Sequence, residues 1–255
     1  MTFPNNKEKY SKPPILYPEL LQKNKLISLE FKPPNIIFLC YSDSFFDLIV
    51  KKFKNTQLKE NFGDLRVLKN NNGKIGILGK FGIGGPVTAV LTENLAYWGV
   101  KTIISIGLGS SLQKQIQTGD IILAEKAIRD DGTSYHYEQA NKYASAPQNF
   151  LNKISNMLSK SNISFYVGPI WTTDAVYRET EDEVIEYQKE SIFAVDMETA
   201  TLYTVGKYCN LSYLSIIGIS DSIASLKWEY NNNMDQINEN LLNLFNKLLE
   251  FLNNE

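Results

Sequence analysis

The 255-residue sequence predicts an α/β fold, with a mainly parallel or mixed sheet covered on both faces. Three observations carry this reading. Short apolar runs rich in β-branched residues recur at 35–41, 102–107, 121–127 and 213–219. Segments with helical spacing lie between them, as crossovers in such a sheet require. Hydrophobic residues make up 43% and charged residues 21%, which allows a packed core and excludes wholesale disorder.

The elements follow in order. Residues 1–34 read as an irregular arm with one short helix over 17–23, closed by Pro33 and Pro34, and one core domain spans 35–255. Residues 35–41 (NIIFLCY) form a buried strand bounded by proline and serine. Phe45, Phe46, Leu48, Ile49 and Phe53 then suit a helix over 42–54, with Ser42 or Asp43 as its cap. Strands over 65–68 and 74–79 flank the asparagine-rich turn 70–73, whose NNG suits a hairpin. Residues 81–86 (FGIGGP) make a glycine turn into a helix over 87–98, which Gly99 ends. The strand 102–107 runs into a second glycine turn, 107–111. A strand over 121–127, a long polar and aromatic loop over 129–148, a helix over 147–159 and a strand over 164–170 come next. A charged surface helix spans 180–190, a second helix 197–208, and an apolar strand 213–219. The terminal helix, 233–252, carries Ile237, Leu241, Leu244, Leu248 and Leu252 on one stripe.

Composition removes several functions. Lys plus Arg is 26 against 28 for Asp plus Glu, a formal charge of -2, so there is no net pull toward nucleic acid or anionic membrane. Cys40 and Cys209 make neither a disulfide framework nor a zinc cluster, and the single histidine, His136, excludes a multi-histidine metal site. No stretch has the ~20 apolar residues of a membrane-spanning helix, and the polar start lacks a signal-peptide core. A soluble protein of a reducing compartment, the cytoplasm, is expected.

In open α/β sheets chemistry sits where strands end. Gly82, Gly84 and Gly85 let backbone approach a ligand, and a turn into a helix N-terminus exposes N–H groups; tight packing explains such a turn equally well. No phosphate-loop motif is present, because no Lys-Ser/Thr follows Gly85-Pro86. Asp221 follows an apolar strand, where a carboxyl partly removed from water is a candidate proton donor; a turn-capping Asp is the plainer alternative. Glu198 opens a helix after an aliphatic run and is placed to accept hydrogen bonds from a diol, or simply to complement the helix dipole. Residues 171–178 (WTTDAVYR) join aromatics to hydroxyls and suit stacking on a flat ring, or a buried loop cap.

Read together, these pieces resemble the nucleoside phosphorylase family, which includes purine nucleoside and uridine phosphorylases and related nucleosidases. The similarity is dense over 79–137, including GIGGP and the Gly119-Asp120 pair, and resumes at VGPIWTTDAVYRET (167–180), VDMETATLYTVGKY (195–208) and IIGISDS (216–222). The resemblance implies a three-layer sandwich around a mixed, partly barrel-like sheet, a homo-oligomer (dimer or trimer of dimers), no cofactor and no metal. It implies cleavage of a nucleoside's N-glycosidic bond, with phosphate or water as acceptor. Carried over by position, Glu198 binds the ribose 2′- and 3′-hydroxyls and Met197 packs under the sugar. Asp221 protonates or hydrogen-bonds purine N7. Tyr177, Thr172, Thr173 and Ser220 line the base. Gly82, Ser105, Leu108, Gly109, Phe46 and Arg66 fall at the acceptor pocket.

Departures from the family pattern concentrate at that pocket. Phosphorylases of this family hold phosphate with a Gly-Asp-Pro turn followed by Arg; here the stretch is Ser42-Asp43-Ser44-Phe45-Phe46, with Phe46 in the Arg position. A second Arg position holds Ser105, and a hydroxyl position holds Leu108. Each missing charge-assisted bond to a dianion is worth roughly 1.5–3 kcal/mol. Arg66 matches a region from which a neighbouring subunit lends an Arg in some members. Thr180 and Asp182 stand where uridine phosphorylases read uracil with Gln and Arg. Asp221 in an SD pair resembles the purine-acting branch, so a purine nucleoside is expected as substrate, with water favoured over phosphate. Phosphorolysis with a rearranged phosphate site and a non-catalytic nucleoside-binding protein are the alternatives.

Overall fold

The computed structural model describes residues 8–25, 33–58, 63–69, 73–230 and 232–253. Among the described residues eleven strands join one sheet. The apolar runs predicted as strands form its centre: β1 (Ile36–Cys40), β4 (Ile75–Gly79), β5 (Thr102–Ser111), β6 (Ile121–Asp130), β8 (Tyr166–Thr173) and β10 (Ser212–Ser222). Shorter strands complete it: β2 (Asn55–Leu58), β3 (Asp64–Leu68), β7 (Tyr143–Ser145), β9 (Ala194–Asp196) and β11 (Glu229–Tyr230). The order is β11-β10-β6-β8-β9-β5-β1-β4-β3-β2, and an additional β10–β5 pairing closes β10, β6, β8, β9 and β5 into a five-stranded mixed barrel. β1 lies parallel to both β4 and β5, as continuously buried strands usually do.

The described residues include seven α-helices: α1 (Pro18–Lys23), which packs on α3, α2 (Asp43–Lys52), α3 (Gly85–Trp98), α4 (Gln148–Leu158), α5 (Glu181–Lys189), α6 (Thr199–Tyr208) and α7 (Met234–Asn253). The two faces of β10 show why both sides are covered. Tyr213 packs against Gly206 of α6, while Gly218, on the opposite face, receives Leu241 of α7. The predicted caps form: Ser42 Oγ accepts from Phe45 N at the start of α2, and Gly99 ends α3 in the left-handed region at φ 102°. Thr180 and Glu183 make a reciprocal capping box on α5.

Three readings change. Residues 107–111 are not a turn; β5 continues to Ser111 and pairs with β10 and β9. A Cβ on Gly109 would lie 2.5 Å from the Val195 carbonyl oxygen, so glycine here marks a close crossing of two strands. β6 and β8 run three residues past their expected ends, and β10 extends far enough that Asp221 lies within it, paired with Tyr230. The loop 129–148 contains β7 and a 3₁₀ turn at Ser134–His136. β3 and β4 pair antiparallel as the hairpin reading requires; the asparagines 70–72 lie outside the described residues, and Gly73 has φ +74°. In the arm, Tyr10 donates to the Tyr135 carbonyl at 2.7 Å and Tyr97 donates to Gln22 at 2.7 Å, so its described part is tied to the rest of the chain.

Candidate active site

Strand ends meet at one cleft of about 270 Å³. β1 delivers Tyr41 just beyond its end, and β5 contributes Leu108, Gly109 and Ser110. The β9–α6 junction contributes Val195 to Glu198, β10 contributes Ser220 and Asp221, and the loop after β8 contributes Val176 and Glu179. A wider pocket of about 580 Å³ shares Ser110, Val176, Glu179 and Asp221 with it and extends to Tyr177, Ile223 and Trp228. The two carboxyl groups singled out in the sequence, Glu198 and Asp221, therefore line the same cleft.

Glu198 does not cap its helix. That work falls to Asp196, which accepts from Thr199 N at 3.0 Å and Thr199 Oγ1 at 2.5 Å. Thr172 Oγ1 donates to the other oxygen of Asp196 at 2.6 Å and accepts from Ala200 N. With the helix end satisfied by Asp196, Glu198 reaches across to the glycine turn, and Gly84 N donates to its Oε1 at 2.6 Å. Gly84 sits at φ +95°, a conformation that favours glycine. Burial, and then the charge of Asp196, push the Glu198 carboxyl above its ordinary range. Tyr41 shares a 2.6 Å hydrogen bond with Thr88, and its ring meets Phe81 edge-on, which fixes the phenol beside this wall.

Asp221 is held by three donors. Ser220 Oγ donates to Oδ1 at 2.5 Å, Trp228 Nε1 donates to Oδ2 at 2.9 Å, and Ser110 Oγ also donates to Oδ2. The whole carboxylate is thus fixed at the junction of the two cavities. Glu179 lies beside it with no hydrogen bond from any described residue. Its carboxyl is pushed up to about 7 by burial first, then by the charges of Asp221 and Glu183.

The other expected site residues separate into two groups. Met197, Ser220, Leu108 and Gly109 line the cleft. Tyr177 is 97% exposed and stands at the rim of the wider pocket. Thr172 and Thr173 are buried outside both cavities; Thr172 is committed to Asp196, and Thr173 accepts from Ala175 N. Ser105 is buried and donates to Ser215 at 2.8 Å. Phe46 is buried in the main core, where its ring fills the space above Gly79 that a Cβ would need. Gly82 is exposed in its loop, and the Arg66 guanidinium is committed to Asp64 and Asn55. In this chain, then, Phe46, Ser105, Gly82 and Arg66 do not line the cleft, because each is spent on packing or pairing elsewhere, or is left at the surface. Tyr41, Ser110, Glu179 and Trp228 do line these cavities and were missed. An SD pair at a strand end is visible in a sequence; a glutamate folded over it from a distant loop is not.

The family profile described as "Phosphorylase superfamily" matches residues 35–253. Guanosine phosphorylase of Halorubrum lacusprofundi is 30% identical over 126 residues, covering 49% of this chain and 52% of that protein. The chain spans between about half and two thirds of the length of several curated relatives it matches. Uridine phosphorylase from Vibrio fischeri superposes with a TM-score of 0.72 at 27% identity, over 87% of this chain and 91% of that one. AMP nucleosidase from Bacteroides thetaiotaomicron shares the fold, with a TM-score of 0.71 at 21% identity over 88% and 92%. The strand order, the barrel closure and a profile match running from β1 through α7 all lead to one assignment: the chain belongs to the phosphorylase superfamily.

Proposed function

We propose that the protein cleaves the N-glycosidic bond of a purine nucleoside or a close relative, using water rather than phosphate as acceptor. One observation carries the choice of acceptor. Among the described residues the 270 Å³ cleft is lined by four acidic residues, Glu179, Asp196, Glu198 and Asp221, and by no Lys or Arg. A phosphate dianion placed there meets like charge in a partly desolvated space and gains no bidentate cation. Water carries no such penalty.

Position in the cleft and the family resemblance support the following roles. Glu198, anchored through Gly84 N, accepts hydrogen bonds from the ribose 2′- and 3′-hydroxyls, with Met197 beneath the sugar. The transition state has oxocarbenium character, so fixed carboxylates near the anomeric carbon stabilise its developing positive charge. Asp221 faces the leaving base from the end of β10, and the wider pocket beyond it, with Tyr177 and Trp228, takes the flat heterocycle. The exposed apolar residues Ile15, Leu16, Val90 and Tyr97 on the arm and α3 support a homo-oligomer. Among the described residues no helix is long and apolar enough to cross a membrane.

The relatives named phosphorylases favour a second reading, phosphorolysis through a rearranged site. Guanosine, inosine, adenosine and uridine incubated in phosphate-free buffer separate the two. Free base and free ribose are expected from the purine nucleosides. Strict dependence on added phosphate, with ribose 1-phosphate as product, overturns the hydrolytic reading. Binding of nucleosides without release of base overturns catalysis altogether.

A further inference from the structure

We propose that Glu179, not Asp221, carries the proton delivered to the leaving base, with Asp221 as the fixed carboxylate that keeps that proton on its neighbour. This rests on the N-glycosidic reading above. Asp221 and Glu179 line both cavities at their shared boundary, so both face whatever occupies the base side. Their surroundings differ. The two oxygens of Asp221 already accept from Ser110, Ser220 and Trp228, the arrangement of an acceptor-only carboxylate. Glu179 accepts from no described residue and is half-buried, so no hydrogen bond favours its charged form. Of two acids whose surroundings differ in this way, the one without donors is the better placed to carry a proton.

The acidic neighbours of Glu179 act in the same sense. Asp221 faces it from β10, Glu183 from α5, and Glu181 lies on the same pocket wall. Lys227, on the segment between β10 and β11, is the cation lining that pocket, and Arg178 precedes Glu179 in the chain. Burial and the acidic neighbours together push Glu179 up to about 7.

The step balances. The glycosidic C–N bond breaks and its electron pair goes to the base, while the Glu179 proton passes to a base nitrogen. The oxygen of water bonds to the anomeric carbon and loses a proton to solvent, from which Glu179 is reprotonated. The products are free base and free sugar.

The experiment compares wild type with Glu179→Gln, using guanosine and p-nitrophenyl β-D-riboside in phosphate-free buffer from pH 5 to 9. The nitrophenolate leaves without protonation, so its release does not need the acid. Expected is a loss of about 10²-fold or more in kcat/KM for guanosine, with nitrophenol release within a few-fold of wild type. Wild-type guanosine cleavage should fall as pH rises through about 7, and that limb should be absent in the variant. Equal losses on both substrates at an unchanged melting temperature overturn the proton role and indicate a positioning one. An unchanged guanosine rate and pH limb overturns the assignment while leaving the glycosidase reading intact. Failure of the wild type to cleave either riboside overturns both. Glu179→Asp, which keeps a carboxyl, should recover part of the guanosine rate; no recovery at an unchanged melting temperature counts against the proposal.

Discussion

Glu198 shows how a single side chain ties stability to the site. Its carboxyl is buried, and its neighbour Asp196 is also buried, so the charged form is penalised in the folded state. A carboxyl raised on folding contributes most to stability below its unfolded value of about 4.5, and that contribution is lost as pH rises through the higher folded value. Glu198→Gln should therefore be more stable than wild type at pH 8, on the order of 1 kcal/mol. The difference should shrink toward pH 5 in urea denaturation. The same variant should lose most of its nucleoside cleavage, because an amide replaces one diol acceptor with a donor. Glu198 and Asp221 were legible in the sequence because each closes or follows an apolar run beside a recognisable motif. Glu179 was not, since its place in the cleft depends on a loop folding back over β10. Thr172 and Thr173 misled because a hydroxyl after a strand looks the same whether it meets a ligand or a helix cap.

At the level of elements, β5 carries most of the lesson. Glycines at 107 and 109 suggested a turn, yet the strand passes through both. A strand tolerates glycine where another backbone comes close, and here Val195 O occupies the space a Cβ would take. Gly109→Ala should force β5 away from β9, with a cost of about 1–3 kcal/mol. A drop in melting temperature should then accompany a loss of kcat, since Leu108, Ser110 and Met197 all ride on that crossing. An unchanged melting temperature would mean the two strands part without cost. Helices were easier to read, because α2, α5 and α7 carry their caps and stripes locally.

For the molecule as a whole, the alternation of strands and helices announced the fold class, but closure of the barrel depends on β10 pairing with β5 across more than a hundred residues. No local pattern encodes such a contact. Barrel closure brings four acidic residues to one cleft, and this predicts how the protein answers to ligands. Only a ligand that binds the folded form raises its stability. Millimolar phosphate or sulfate should leave the melting temperature unchanged, whereas a purine nucleoside should raise it in a concentration-dependent way. A rise with phosphate alone would point to an anion site outside the cleft residues identified above, and to phosphorolysis.

Trp228 adds an optical consequence. It is 69% exposed, whereas Trp98 and Trp171 are buried, and its indole N–H is tied to Asp221 at the mouth of the cavity. Any guest that competes for that acceptor or stacks on the ring must alter the surroundings of the one solvent-facing indole, so intrinsic emission offers a label-free gauge of occupancy, with the two interior tryptophans as a steady background.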